Sequence, residues 1–599
     1  MFKLGKGAIF MKKTKIVSTL GPASFTVDTI AKLIKAGANV FRFNFSHGSH
    51  PEHLKRYHMV LKAEKKTGMT VGIDCDTKGA EIRTTANQDG KKFTYHPGDT
   101  FRIGMDADGQ KDSTKDLIQS TYDGLFNDVG IGDHVLFDDG VLDTICDGKD
   151  KSKQQLRVKV QNTATLGSRK TADIPDDVVN LPGVTPKDEN DIRFACEHMN
   201  INFITASFLR KPEDVAKIRD ILKDEHMEDV QIFPKLENQE GIDNLKPIMK
   251  LADGVMVPRG DMAVNIPYEN VPMVQKRMIH YCNKLGKPVI TATQMEASMA
   301  KNPRPSRAEV SDCADAVFDG TDATMLSGET ANGDWPVHAV AAMARIDTKA
   351  EEHFAQYGYP RPQFNEGDVT ESVGHTVTQM AEDLGVKTIV CLTSTGYTAR
   401  MISKYHPDAN ILALTFSDRV RHGLTINWGV HPILADKPTG IAQMFDEASN
   451  KAVEAGLAEA GDLILIVGGS PVAQKGTTNL IKVQLIGSKL AQGQGIGDKA
   501  IIGKAFTAKT AAEAKQKAFK GGVLIAKDTN QNYLPAIKQA SALIVENGGL
   551  TSYAAVIGIS MGIPVIVNAD GALKHISDGE LITVDSRHGI VYHGASSNL

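Results

Sequence analysis

Lys235, Glu237 and Asp261 close two short apolar runs, VQIFPKLEN (230–238) and GVMVPRGD (254–261). Lys235 lies two residues before Glu237, so in a strand both side chains leave the same side. Glu237 and Asp261, brought together on neighbouring strands, suit Mg²⁺ or Mn²⁺ with positions left for water and substrate oxygens. A lysine beside such a metal stabilises oxyanion charge as it develops. Arg42 and Arg83 offer two guanidinium forks, the geometry that grips phosphate in a bidentate way. A lone arginine is more often a surface ion-pair partner, and it is the position at strand ends that favours the functional reading. Asn44, Ser46, Asp76 and Thr77 are hard oxygen donors with one carboxylate among them, which fits a monovalent cation better than a second divalent one. Together these groups suit a multiply charged anion held with a divalent metal.

Eight runs must position them: KIVSTLG, VFRFNFSHG, VGIDCDTKG, NFITASF, VQIFPKLEN, GVMVPRGD, PVITATQM and ATMLSGET, most separated by stretches of helical periodicity. A repeated strand–helix unit predicts a (β/α)8 barrel of the TIM type, whose active site gathers at the C-terminal strand ends. Thr293 stands at one of those ends. The barrel is interrupted after Arg83. FTYHPGDTFRI, HVLFDDGVLDTIC and QQLRVKVQNTATLG alternate apolar and polar residues between Gly, Asp and Pro, which predicts an all-β insert at the active-site end. Such an insert acts as a lid or is a passive decoration. A second α/β unit follows, in which VKTIVCL runs through Thr393, Ser394, Thr395, Gly396 and Thr398 into a helix. Free N–H groups at such a helix start can cradle a phosphate, although hydroxyl-rich caps are common there without a ligand. GSKLAQGQGIGDKA (487–500) reads as a linker, and a last compact α/β unit carries VLIAKD, ALIVEN and PVIVNA. The expected division is 1–83 with 182–350 for the barrel, 84–181 for the lid, 351–486 for the α/β regulatory domain and 487–599 for a C-terminal α/β domain.

The 599 residues are too many for one core. A net charge of −4 gives no reason to expect nucleic-acid or membrane binding. No apolar run approaches the roughly 20 residues that span a bilayer, and no secretory signal is evident. Six scattered cysteines, Cys75, Cys146, Cys196, Cys282, Cys313 and Cys391, form no C-x-x-C pair. They predict ordinary packing, no structural zinc, and a reducing, cytoplasmic setting.

RFNFSHG (42–48), DTKGAEIR (76–83), PKLEN (234–238), MVPRGDMAV (256–264), TATQMEASM (291–299) and DGTDATMLSGETANGDWP (319–336) resemble pyruvate kinase, and the resemblance runs through all eight strands in order. It implies phosphoryl transfer from phosphoenolpyruvate to ADP, the final step of glycolysis, with Mg²⁺ (or Mn²⁺) and K⁺ as cofactors. Carried over, Arg42 and Arg83 contact the transferring group and Lys235 stabilises the transition state and enolate. Glu237 and Asp261 hold the divalent metal. Gly260 and Asp261 bind the substrate carboxylate through their N–H groups. Thr293 lies near the methyl-forming carbon, beside a network containing Ser327 and Glu329. Asn44, Ser46, Asp76 and Thr77 form the potassium site. Pro22, Asn44, His47 and Arg83 flank the nucleotide, with Asp138 and Lys170 reaching in from the lid. Thr393, Ser394, Thr395, Gly396 and Thr398 match an effector-phosphate loop, implying allosteric control by a phosphorylated ligand, and a homotetramer is the usual assembly. Glu81 occupies a position that is Glu in potassium-dependent members, so K⁺ dependence is expected.

The pattern departs in places. Pro258 precedes Arg-Gly-Asp, Ala263 and Asn265 replace Gly and Glu, Ala80 replaces Pro, and KTADIP replaces a Lys-Gly-Val-Asn-like stretch in the lid. Residues 1–10 precede the usual start and read as an extension. ENGGLTSYAA (546–555) resembles the phosphohistidine motif of the swivelling domain of phosphoenolpyruvate-utilising enzymes, but Tyr553 takes the histidine's place. Tyrosine has no imidazole nitrogen to phosphorylate, which predicts a structural or regulatory domain and weighs against a phosphocarrier. The competing reading is a catalytically impaired, metabolite-binding paralogue.

Overall fold

The computed structural model describes residues 12–175, 180–362, 364, 369–459, 461–469, 478–487 and 489–594; the expected N-terminal extension lies outside them. They fall into two compact units, one of residues 1–375, 393–407 and 413–436 and the other of residues 376–392, 408–412 and 437–599.

In the first unit each of the eight runs forms a short parallel strand: β1 Lys15–Thr19, β2 Val40–Asn44, β3 Gly72–Asp76, β4 Phe203–Ala206, β5 Gln231–Pro234, β6 Val255–Pro258, β7 Val289–Ala292 and β8 Ala323–Leu326. Their order is β5-β4-β3-β2-β1-β8-β7-β6, and a bridge between Lys235 and Met256 joins β5 to β6. Pro258 ends β6 beside this loosely joined seam, where a missing N–H is best tolerated. The connecting helices carry ordinary start and stop signals. Thr26 caps Val27–Ala36 by accepting from Thr29 N at 3.0 Å, a bond of a kind that contributes about 1 kcal/mol. Ser49 and Glu52 form a capping box on His50–Thr67, and Gly68 stops that helix at φ +69°.

Alternation along the strands separates packing from chemistry. Outward-facing residues such as Phe41, Phe43, Ile73, Cys75, Ile204, Ala206, Ile232 and Leu236 join the core between strands and helices. The opposite set begins inside the barrel with Val17, Val40, Phe203, Phe233, Met256 and Ile290, to which Ile426 adds from the 413–436 segment. Two and four residues further along, that same inward face becomes polar: Arg42 and Asn44 on β2, Asp74 and Asp76 on β3, Thr205 and Ser207 from β4, Lys235 and Glu237 from β5. An apolar floor therefore carries a charged layer.

Among the described residues the insert after β3 is built of β-strands, with short helical turns at Gln88–Gly90 and Leu125–Asp128. Its main sheet runs 172–173, 134–137, 142–150, 155–160, 100–105 and 117–120, with 93–95 paired to 164–166. It has its own core, including Tyr95, Phe101, Ile103, Phe137 and Leu156. In the second unit Thr388–Leu392 pairs in parallel with Leu463–Gly469, which pairs antiparallel with Thr478–Leu485. An eight-stranded mixed sheet makes up the C-terminal part. All six cysteines are free thiols, five of them buried.

The expected linker at 487–500 is corrected. Lys489–Gln492 pairs with 590–593, and Gln494–Ile496 pairs with Val565–Val567. The glycines serve close backbone approach: a Cβ on Gly493 would lie 2.2 Å from Val567 O, and one on Gly495 1.8 Å from Ser586 O. Gly495→Ala should cost about 1–3 kcal/mol of overpacking. The expected result is a lower unfolding midpoint with faster amide exchange in 494–496 and 565–567; unchanged exchange would contradict this packing.

Candidate active site

Lys235 is the centre of the charged layer. Its Nζ lies 3.1 Å from Glu237 Oε1 and 3.7 Å from Asp76 Oδ1, and it donates to Ser207 Oγ at 2.8 Å. All four residues are buried, Glu237 completely. Burial disfavours the ammonium, but Asp76, then Glu237 and Asp261, more than compensate, and the Lys235 pKa is raised. Arg42 Nε donates to Asp76 Oδ2 and Nη1 donates to Thr19 Oγ1 at 3.0 Å. The guanidinium is thereby fixed in plane. Burial opposes ionisation of Asp76, yet Arg42 and Lys235 hold its pKa below the usual carboxylate range. Asp74, one layer down, accepts from Thr205 Oγ1 at 2.9 Å and Thr205 N at 3.1 Å; burial and the Asp76 charge push its pKa up.

Burial raises Glu237 to about 8, with Asp261 adding to the effect and Lys235 opposing it. Its Oε2 accepts from Phe208 N at 2.6 Å, while the buried Oε1 has only the Lys235 ammonium beside it, at 3.1 Å. Asp261 is exposed above. A buried carboxylate with one oxygen shared only with the Lys235 ammonium, and a second carboxylate at the mouth, fits a divalent cation that takes its other ligands from water and substrate. Glu237 and Asp261 would hold it. Register brings Asn44 opposite Asp76. Those two, with Ser46 and Thr77, would offer a mostly neutral oxygen set to a monovalent cation. Among the described residues no group of three or more His, Cys, Asp or Glu forms a metal cluster.

On the opposite side, Thr293 and Gln294 follow β7 at φ +67° and +56°, a left-handed conformation uncommon for such residues. Arg259 holds this turn. It donates to Thr293 O at 2.7 Å and Ala292 O at 3.3 Å while its two Nη atoms grip Asp312 at 2.5 and 2.7 Å. Gly260 N donates to Thr293 Oγ1 at 2.7 Å. The Gly260 N–H expected to meet a substrate carboxylate is thus engaged here by Thr293. Glu329 is buried and accepts from Ser327 N at 2.8 Å and Glu296 N at 3.3 Å.

Other expected site residues lie apart from this layer. Arg83 sits at the lid root: its Nε donates to Glu81 Oε2 at 2.7 Å, its Nη1 to Arg169 O at 3.0 Å, and its backbone bridges Thr171. Lys170 and Asp138 pair with each other at 2.8 Å within the lid. Pro22 and His47 are exposed. In the 393–398 loop Thr393 and Thr398 are buried, Gly396 adopts φ +80°, and Thr395 and Tyr397 are exposed. Ser207, Thr205, Asp74 and Arg259 escaped the sequence reading. For Asp74 the signal was available, since it shares the inward parity of Asp76 on the same strand.

A parallel (β/α)8 barrel whose C-terminal end carries this buried cationic and acidic layer has the groups that phosphoryl transfer asks for. Residues 11–340 match the family model of the pyruvate kinase barrel domain, 371–484 that of the pyruvate kinase alpha/beta domain, and 519–589 that of the PEP-utilising enzyme mobile domain. Similar proteins include pyruvate kinases of Lactobacillus delbrueckii subsp. bulgaricus, 55% identical over 593 residues, Bacillus licheniformis, 46% over 591, and Geobacillus stearothermophilus, 45% over 590. Each alignment covers 98% of this chain and all of the relative. The chain belongs to the pyruvate kinase family. Among the described residues no helix is long and apolar enough to cross a membrane.

A proton held by Glu237 would make divalent-metal binding there pH-dependent. A carboxyl with a raised pKa holds its proton below that value, and a divalent cation must displace it. Mg²⁺ affinity of the substrate-free protein should rise by about tenfold per pH unit toward about 8 and level off above it. Calorimetry in buffers of different ionisation enthalpy measures both the affinity and the released proton. An affinity flat across that range would contradict this assignment.

Proposed function

We propose that this chain transfers the phosphoryl group of phosphoenolpyruvate to ADP, giving pyruvate and ATP, and that Mg²⁺ (or Mn²⁺) and K⁺ serve it. The observation that carries the reading is the buried Lys235 ammonium, held between Asp76 and Glu237 at the C-terminal end of the barrel. Phosphoryl transfer asks for positioning and charge neutralisation more than for covalent chemistry.

Arg42, fixed by Asp76 and Thr19, presents its free edge to the phosphoryl group. Lys235 neutralises charge as it shifts onto the enolate oxygen when the P–O bond breaks. A divalent ion on Glu237 and Asp261 supplies Lewis-acid neutralisation of phosphoryl and carboxylate oxygens when bound. A monovalent ion belongs with Asn44, Ser46, Asp76 and Thr77. Thr293 releases Gly260 N–H to the substrate carboxylate, with Asp261 N–H beside it. The enolate carbon then takes a proton from the side of Thr293, Ser327 and Glu329, and ketonisation draws the reaction toward ATP. Pro22, Asn44 and His47 border the nucleotide. Arg83, Asp138 and Lys170 belong to the lid and its root, so lid closure delivers them and excludes water.

The 393–398 loop is read as the site of a phosphorylated allosteric effector, with Ser394 and Thr395 its outward hydroxyls. A homotetramer follows from family resemblance. Tyr553 packs against the C-terminal core at the start of the helix Tyr553–Met561, which supports a structural role for that domain.

ATP formation from phosphoenolpyruvate and ADP tests the reading. Lys235→Met should reduce turnover by roughly 10³-fold with the fold retained; near-normal turnover would refute the role of Lys235. With Glu81 in place, turnover should collapse in potassium-free, sodium-free medium, and a full rate there would refute K⁺ dependence.

A further inference from the structure

Ser207 stands where two parts of the proposed chemistry meet. It follows β4 on the inward face, after Phe203 and Thr205, and is 3% exposed. Its hydroxyl oxygen accepts from Lys235 Nζ at 2.8 Å. The same hydroxyl donates to Thr77 O at 2.7 Å. Its backbone N–H donates to Thr77 Oγ1 at 3.2 Å. Both oxygens of Thr77 are therefore held by one residue, which at the same time supplies Lys235 with its uncharged acceptor. Gly79 leaves the room for this: at φ +71°, a Cβ there would lie 2.8 Å from Ser207 Cβ. Thr77 N donates to Thr205 O at 3.0 Å and completes the clamp.

We infer that Ser207 is a positioning residue that ties the monovalent-cation site to the lysine of phosphoryl transfer. The inference rests on the proposed function above. A hydroxyl has one proton to give, and here that proton goes to Thr77, so its lone pairs are turned to Lys235. A cation ligated through Thr77 needs that peptide in one orientation, and Ser207 fixes it from both sides. The ammonium is likewise aimed by Ser207, because the carboxylates around it attract charge without setting direction. Removing the hydroxyl takes away the bond to Thr77 O, so that Thr77 keeps only its Thr205 and Ser207 backbone bonds, and it leaves a buried Lys235 proton without its acceptor.

The test uses the full-length protein with Ser207→Ala, and Ser207→Cys, which keeps a weak donor. Two quantities are measured: turnover with phosphoenolpyruvate and ADP, and the K⁺ concentration that gives half of the maximal thermal stabilisation in the absence of substrate, against a sodium-free tetramethylammonium background. For Ser207→Ala we expect kcat to fall roughly 10²-fold with KM for phosphoenolpyruvate within about threefold, and the K⁺ requirement for stabilisation to rise about tenfold. Ser207→Cys should fall between Ala and the wild type in both, and it carries the test if the alanine variant does not fold. A loss of kcat with unchanged K⁺ stabilisation would overturn the coupling, as would unchanged values of both. An inactive wild-type protein would instead refute the functional reading itself.

Discussion

The structure depends on keeping an ammonium and a guanidinium charged where water does not reach. Lys235 and Arg42 are both buried, and desolvating such ions costs several kcal/mol each unless partners surround them. Asp76 is the shared partner: Arg42 and Lys235 approach its two carboxylate oxygens separately. Around this anion the remaining groups fall into place. Glu237 faces Lys235 from the next strand position, Thr19 fixes the far side of Arg42, and Ser207 takes the lysine's neutral hydrogen bond. A site assembled in this way is organised before substrate arrives, so little reorganisation is left for the transition state.

The barrel supplies the layer because its strands alternate faces. Phe41, Phe43, Ile73, Cys75, Ile204 and Ile232 bind the sheet to its helices, and their inward neighbours are free to be charged above the apolar floor of Val40, Phe203, Phe233, Met256 and Ile290. The turn after β7 adds strain on the opposite wall, where Arg259 holds Thr293 at φ +67° with hydrogen bonds and an Asp312 ion pair. A residue kept in that conformation by its surroundings, with its hydroxyl on Gly260 N–H, is poised to change partner when a carboxylate enters.

Much of this was legible in the sequence. Short apolar runs with polar ends marked all eight strands, and period-two spacing put Lys235 beside Glu237. The same parity could have added Asp74 beside Asp76, but Thr205 and Ser207 stand on a strand where no residue had been singled out, and a small polar residue inside a strand carries no composition signal by itself. Arg83 shows the limit of reading strand ends. It stands past β3 where the chain turns into the lid, and its guanidinium goes to Glu81 and Arg169 O. The 487–500 stretch shows another, since glycine there reflects a backbone packed against Val567 and Ser586, whereas composition suggested flexibility. The Lys170–Asp138 pair was hidden because nothing local in the sequence joins residues 32 positions apart across a sheet.

The account's central claim is that the buried acidic and cationic layer is where the phosphoryl group moves. Its most direct test is the Mg²⁺ dependence of ATP formation from phosphoenolpyruvate and ADP by Glu237→Gln beside the wild type. Glutamine keeps the size of the side chain and its bond to Phe208 N but removes the anionic ligand. The account predicts that the variant folds and keeps the K⁺ response, yet loses roughly 10²-fold or more in turnover with a weakened Mg²⁺ dependence. Wild-type turnover at ordinary Mg²⁺ would contradict it.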